Sequence, residues 1–146
     1  MPSRQWLCRS EEETAAAGRE IARLLRPDAV VHLVGDLGAG KTFLARAMAA
    51  ALGADPREVA SPSFAIVHEY PVAAGAPVIH IDAYRLSGNR REWLEIGIPE
   101  LLAGPGVKLI EWPKRAFEEF EDWHVEITIR VREDDAREIE VQSERW

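Results

Sequence analysis

Cysteine is almost absent: the chain has one, Cys8, among 146 residues, which excludes an internal disulfide and any zinc site built on a cysteine cluster. Long apolar runs are missing too. The longest alanine-rich one, Ala47 to Leu52, falls far short of the roughly 20 residues that cross a bilayer, so no membrane role is expected. The first residues, Met1 to Glu13, have no apolar core of the kind a secretory signal needs, and a cytoplasmic location is expected. Basic residues are in deficit, 18 Lys and Arg against 25 Asp and Glu, for a formal charge of −7. Phosphate contacts supply most non-specific affinity for nucleic acid and need clustered cations, so any RNA-directed work is expected to go through partner proteins. Neither a repeat nor a linker is visible. Ala73 to Pro77 and Ala103 to Gly106 are too short to separate domains and read as surface turns.

What is present suits a globular domain. Hydrophobic residues make up 47% and charged residues 29%, and about 100 to 200 residues usually form one unit, so residues 1–146 are expected to be a single domain. Ser10 with Glu13 three positions on forms a capping box ahead of the apolar positions Ile21, Leu24 and Leu25, predicting a helix from Glu11 to Leu25. Ala29 to Val34 is β-branched and nearly all apolar, as a strand buried on both faces requires. A second helix begins at Lys41, with Gly53 at its end. Further strands are predicted at Ser63 to Tyr70, Val78 to Asp82, Val107 to Trp112, Val125 to Val131 and Arg137 to Val141, with a helical stretch from Arg90 to Leu102. The last two strands alternate apolar with polar residues across Asp134-Asp135, as an antiparallel hairpin does. The expected fold class is α/β: a mixed, mainly parallel sheet flanked by helices, with a C-terminal antiparallel hairpin.

Between the buried strand and the second helix stands Gly35-Asp36-Leu37-Gly38-Ala39-Gly40-Lys41-Thr42, a full match to G-x-x-x-x-G-K-[ST]. Glycines let successive amides turn toward a phosphate, and the helix start adds partial positive charge. Lys41 would then contact the β- and γ-phosphates of a nucleotide. The Thr42 hydroxyl would meet Mg²⁺, which takes hard oxygen ligands. The motif in this setting predicts a P-loop NTPase domain.

Such a loop needs an acid at a neighbouring strand tip, to hold the metal or to order the attacking water. Asp82 and Glu111 both end apolar runs and both qualify. Ser61-Pro62-Ser63 is either a hydroxyl-bearing switch or a plain turn. Trp112 either packs in the core or sits near the nucleotide. His32, His68, His80 and His124 lack metal-ligand spacing and are read as structural. Glu118 to Asp122 reads as a solvated charged face.

Guanine-specific GTPases carry an Asn-Lys-x-Asp element that is missing here, so ATP is the expected nucleotide. Leu86-Ser87-Gly88 begins like a transporter signature, but Asn89-Arg90 breaks it. A stand-alone P-loop small-molecule kinase is the alternative, although 146 residues leave little room for an acceptor pocket and a lid.

The Gly35–Thr42 motif is followed in order by Ser61-Pro62-Ser63-Phe64, His80-Ile81-Asp82-Ala83-Tyr84-Arg85-Leu86, Glu95-Ile96-Gly97-Ile98 and Glu111-Trp112-Pro113. This succession resembles the TsaE (YjeE) family over nearly the whole chain. The resemblance implies an Mg²⁺-dependent ATPase, weak alone and gated by partners, that serves bacterial tRNA threonylcarbamoyladenosine modification. It implies that the TsaD–TsaB pair transfers the group, that ATP hydrolysis here resets the pair for further turnovers, and that tRNA is met only through that complex. Lys41 and the loop amides are implied to hold phosphate, Thr42 and Glu111 to coordinate Mg²⁺, and Asp82 to be the Walker B-like acid. Trp112 is implied to lie near the nucleotide, with Ser61 to Phe64 as the switch. Glu11 to Thr14 and Arg137 are the implied counterparts of the family's base contacts. Where the family often has a second Thr after Thr42, Phe43 stands here and is expected to pack against the sheet.

Overall fold

In the computed structural model, residues 3–60, 66–73, 75–83, 90–112 and 124–143 are described. The strands are β1 (Ser3–Cys8), β2 (Val30–Val34), β3 (Val67–Val72), β4 (Gly75–Asp82), β5 (Lys108–Glu111), β6 (Val125–Val131) and β7 (Arg137–Ser143). The helices are α1 (Glu11–Leu24), α2 (Lys41–Ala51), α3 (Pro56–Ala60), α4 (Arg90–Ile96) and α5 (Ile98–Ala103). All seven strands form one sheet in the order β1-β7-β6-β2-β5-β4-β3. This is the expected α/β architecture, with the motif-bearing strand β2 at its centre.

The sheet is evenly mixed rather than mainly parallel. β2 runs parallel to β5 and β6, and β4 to β5, whereas β1–β7, β3–β4 and β6–β7 are antiparallel. Two of the antiparallel pairs are hairpins, whose short turns permit no other direction. The third involves β1, a strand with no counterpart in the sequence expectations. Mostly exposed, it gains its order from pairing with β7 at the other end of the chain and from the Trp6 indole, which donates to Glu20 of α1 at 2.8 Å.

Each face of the sheet carries its own apolar layer. Val31, Leu33, Leu109, Ile127 and Ile139 pack with Ile21 of α1 and Leu44, Met48 and Ala49 of α2. On the other face Ile79, Ile81 and Ile110 pack with Trp93 and Ile98 from α4 and α5. Burying such side chains is worth about 1.5 to 3 kcal/mol each, so central strands sandwiched between two layers are held firmly. Strand ends that emerge from this sandwich make a rigid platform for polar side chains.

Several boundaries differ from expectation. Gly97, at φ 84°, splits the single helix predicted from Arg90 to Leu102 into α4 and α5. β4 begins at Gly75, so the turn expected at Ala73 to Pro77 is tighter. α3 is short and had no apolar period to reveal it. The capping box forms, with the Glu13 amide donating to Ser10 Oγ at 3.1 Å, but the Glu13 carboxylate reaches back to the Arg9 amide. Among the described residues no helix is long and apolar enough to cross a membrane.

Candidate functional site

β2 delivers the chain to Gly35 at the carboxyl end of the sheet, and the loop closes through the Ala39 amide, which donates to the Asp36 carbonyl at 3.0 Å. Gly40 then takes φ 106° as the residue before α2, a conformation that side chains other than glycine rarely adopt. No side chain caps α2 at this residue and no acid occupies its first turn. Its leading amides and their partial positive charge are therefore directed at whatever the loop holds.

Lys41 opens α2 and is buried, 4% exposed. Its Nζ donates to the Gly35 carbonyl at 2.5 Å and to the Asp36 carbonyl at 2.8 Å. Above it lies the Trp112 ring, 3.9 Å from Nζ to centroid. Burial pushes the Lys41 ammonium below the ordinary lysine range, and the carboxylates of Glu111, Asp36 and Asp82 pull it back up. The Trp112 indole packs against the α4–α5 layer while one face covers Lys41.

The two strand-end acids end adjacent parallel strands, with Asp82 of β4 opposite Glu111 of β5 in register. The Thr42 hydroxyl lies 2.8 Å from Glu111 Oε1 and 3.0 Å from Oε2. Glu111 is only 3% exposed and also meets the His80 imidazole, Nε2 to Oε2, at 2.6 Å. Lys41, Thr42, Asp82, Glu111 and Trp112 all line one cavity of about 250 Å³ with Leu37 and Gly38. Its donor set is hydroxyl and carboxylate oxygen, the set that suits a hard divalent cation sharing its remaining positions with water or phosphate.

A second cavity, about 420 Å³, adjoins the first through Gly38, Gly40 and Phe43. Glu11 and Thr14 of α1 and Arg137 of β7 line it, together with Cys8, Ser10 and Ala39. Arg137 is fixed at this wall, its Nε donating to the Ala39 carbonyl at 3.0 Å and its second nitrogen to the Asp135 carbonyl at 2.7 Å. Thus the start of the first helix and the C-terminal hairpin meet beside the loop, although more than 100 residues separate them in the chain.

Phe43 does not pack against the sheet. It is 39% exposed and stands where the two cavities join, because the α2 face that meets the sheet is set by Leu44, Ala45 and Met48 instead. His80, expected from the sequence as a structural histidine, lies two positions before Asp82 on one strand, which places both side chains on the same face, and it meets Glu111 there. The remaining histidines behave as structural groups, His124 accepting from the Val30 amide at 2.9 Å and His68 stacking near Tyr70. The expected switch Ser61 to Phe64, the segment Tyr84 to Asn89, Pro113 and the charged stretch Glu118 to Asp122 lie outside the described residues. Among the described residues no group of three or more His, Cys, Asp or Glu side chains could hold a metal ion.

The family profile for "Threonylcarbamoyl adenosine biosynthesis protein TsaE" matches residues 8–139. A Treponema pallidum (strain Nichols) protein named as a tRNA threonylcarbamoyladenosine biosynthesis protein, TsaE, is 38% identical over 133 residues, 91% of this chain and 96% of its own length. A Bacillus subtilis (strain 168) protein of the same name is 36% identical over 139 residues, 95% of this chain and 85% of that one. The crystal structure of Bacillus subtilis YdiB superposes with a TM-score of 0.77 at 31% identity, covering 97% of this chain and 86% of that one. The chain belongs to the TsaE family of threonylcarbamoyl adenosine biosynthesis proteins.

Proposed function

We propose that the chain is a single-domain P-loop ATPase, residues 1–146, that binds ATP with Mg²⁺ and works in the cytoplasm as a subunit of the tRNA threonylcarbamoyladenosine machinery. The observation that carries the reading is the convergence of Lys41, Thr42, Asp82 and Glu111 on one cavity at the uncapped start of α2. A phosphate binder, a metal-binding hydroxyl and two acids are the parts that phosphoryl transfer to water requires.

In this reading the loop amides from Gly35 to Thr42 and the start of α2 hold the phosphates. Lys41 exchanges the carbonyls of Gly35 and Asp36 for the β- and γ-phosphate oxygens, where its charge offsets the charge that grows during bond cleavage. The Thr42 hydroxyl and the Glu111 carboxylate, already within hydrogen-bond distance of each other, hold Mg²⁺. When bound, the metal neutralises phosphate charge and helps fix the phosphate geometry. Asp82, on the same cavity wall, orients the attacking water. The second cavity takes the base and sugar, with Arg137 and the Glu11–Thr14 turn as its walls. A volume of about 420 Å³ lies in the range of small-ligand sites.

The chain does not transfer the threonylcarbamoyl group. It acts with the TsaD–TsaB pair, hydrolyses ATP weakly when alone, and resets the pair between rounds. Its formal charge of −7 favours meeting tRNA through that complex rather than directly. The test is modification of a molar excess of tRNA by the pair, with and without this chain. Many rounds only in its presence, with one round unaffected by its omission, is the expected result. Equal multiple turnover without the chain would overturn the assignment.

A further inference from the structure

We propose that His80 is a positioning residue that holds the Glu111 carboxylate in the orientation in which it meets Thr42. The inference rests on the reading of Glu111 as a metal ligand given above. An ionised carboxylate only accepts hydrogen bonds, so the 2.6 Å contact assigns the imidazole proton to Nε2, which donates to Glu111 Oε2. Thr42 contacts Oε1 at 2.8 Å and Oε2 at 3.0 Å. The two partners therefore grip the carboxylate from β4 and from α2, while its own Cα belongs to β5.

That grip matters because the terminal torsion of a glutamate is broad. Register sets Glu111 opposite Asp82 and not opposite His80, so nothing in the strand pairing alone fixes the plane of the carboxylate. The side chains of His80 and Glu111 are 9% and 4% exposed, which leaves water little access to replace a lost partner. Without His80 the buried carboxylate would hold one fewer bond and turn toward other donors, away from the Thr42 hydroxyl. Partners of this kind behind a metal ligand typically change metal affinity by about 10- to 100-fold.

A purely space-filling histidine would give a different pattern in binding experiments. Glutamine places an amide N–H close to where Nε2 stands, whereas asparagine reaches only as far as Nδ1. The experiment measures affinity of the full chain for a non-hydrolysable ATP analogue in Mg²⁺ and in EDTA, for wild type, His80→Gln, His80→Asn and Glu111→Gln. We expect the gain in affinity on adding Mg²⁺ to fall at least about tenfold in His80→Asn, to be largely kept in His80→Gln, and to vanish in Glu111→Gln, with affinities in EDTA little changed. A full Mg²⁺ gain in His80→Asn beside its loss in Glu111→Gln overturns the role of His80 and leaves the metal reading intact. A full gain in Glu111→Gln overturns both. Equal losses in the Gln and Asn variants, in EDTA as much as in Mg²⁺, mark His80 as packing only and overturn the proposal. Nitrogen NMR of the wild-type protein supplies a test that depends on no variant folding: a proton on Nε2 of His80 is expected, and an unprotonated Nε2 contradicts the proposal.

Discussion

The Lys41 ammonium and the Trp112 indole are stacked at 3.9 Å, and the tryptophan holds this position from a left-handed backbone, φ 59°. For a bulky L-residue that conformation costs roughly 1 to 2 kcal/mol. The strain is located where the chain leaves β5, directly after Glu111, and it turns the ring over the lysine.

A pair of substitutions separates strain from contact. Trp112→Gly and Trp112→Ala both remove the ring, and only glycine relieves the backbone. Denaturant unfolding should find the glycine variant more stable than the alanine variant by about 1 kcal/mol. Equal stability, or a more stable alanine variant, would show that the left-handed turn is not strained.

Gly35 is restricted by contact rather than by φ. A Cβ built there would lie 2.6 Å from the Ile129 carbonyl oxygen, a backbone atom of β6. Gly35→Ala must therefore push the loop away from the sheet, with an expected loss of about 1 to 3 kcal/mol and weaker nucleotide binding. A variant as stable as wild type would mean that the loop yields freely at this point.

His32 makes the fold acid-sensitive. Burial lowers its pKa from 6.5 to about 4, so the folded chain keeps it neutral where the unfolded chain already binds a proton. Stability contributed by the neutral form is complete above about pH 6.5, declines as pH falls, and is gone below about 4. The span corresponds to about 3 kcal/mol. Unfolding free energies measured between pH 7 and pH 4 should fall less in His32→Leu than in wild type, and parallel curves would contradict this assignment.

The parts of the site that were legible in the sequence are those whose residue types are dictated locally. Gly40 must turn left-handed before α2, Lys41 and Thr42 must follow it, and an apolar run ending in Asp82 or Glu111 must place an acid at a strand tip. The Ser10 cap and the Asp134-Asp135 turn were legible for the same reason. What could not be read depends on pairings between distant segments. β1 is mostly exposed, and only its pairing with β7 makes it a strand. Its presence removes the expected parallel majority. The meeting of His80 with Glu111 depends on β4 and β5 lying side by side, and the exposure of Phe43 depends on which face of α2 the sheet takes.

ATP hydrolysis decides whether the chain, as proposed, is an ATPase whose turnover depends on its loop lysine and its partners. Wild type and Lys41→Ala are compared, each alone and with the TsaD–TsaB pair of the same host, after melting curves establish that both are folded. Weak hydrolysis by the wild-type chain alone, strong stimulation by the pair, and neither in Lys41→Ala are expected. Hydrolysis that persists without Lys41, or a wild-type chain that the pair neither binds nor stimulates, would contradict the proposal.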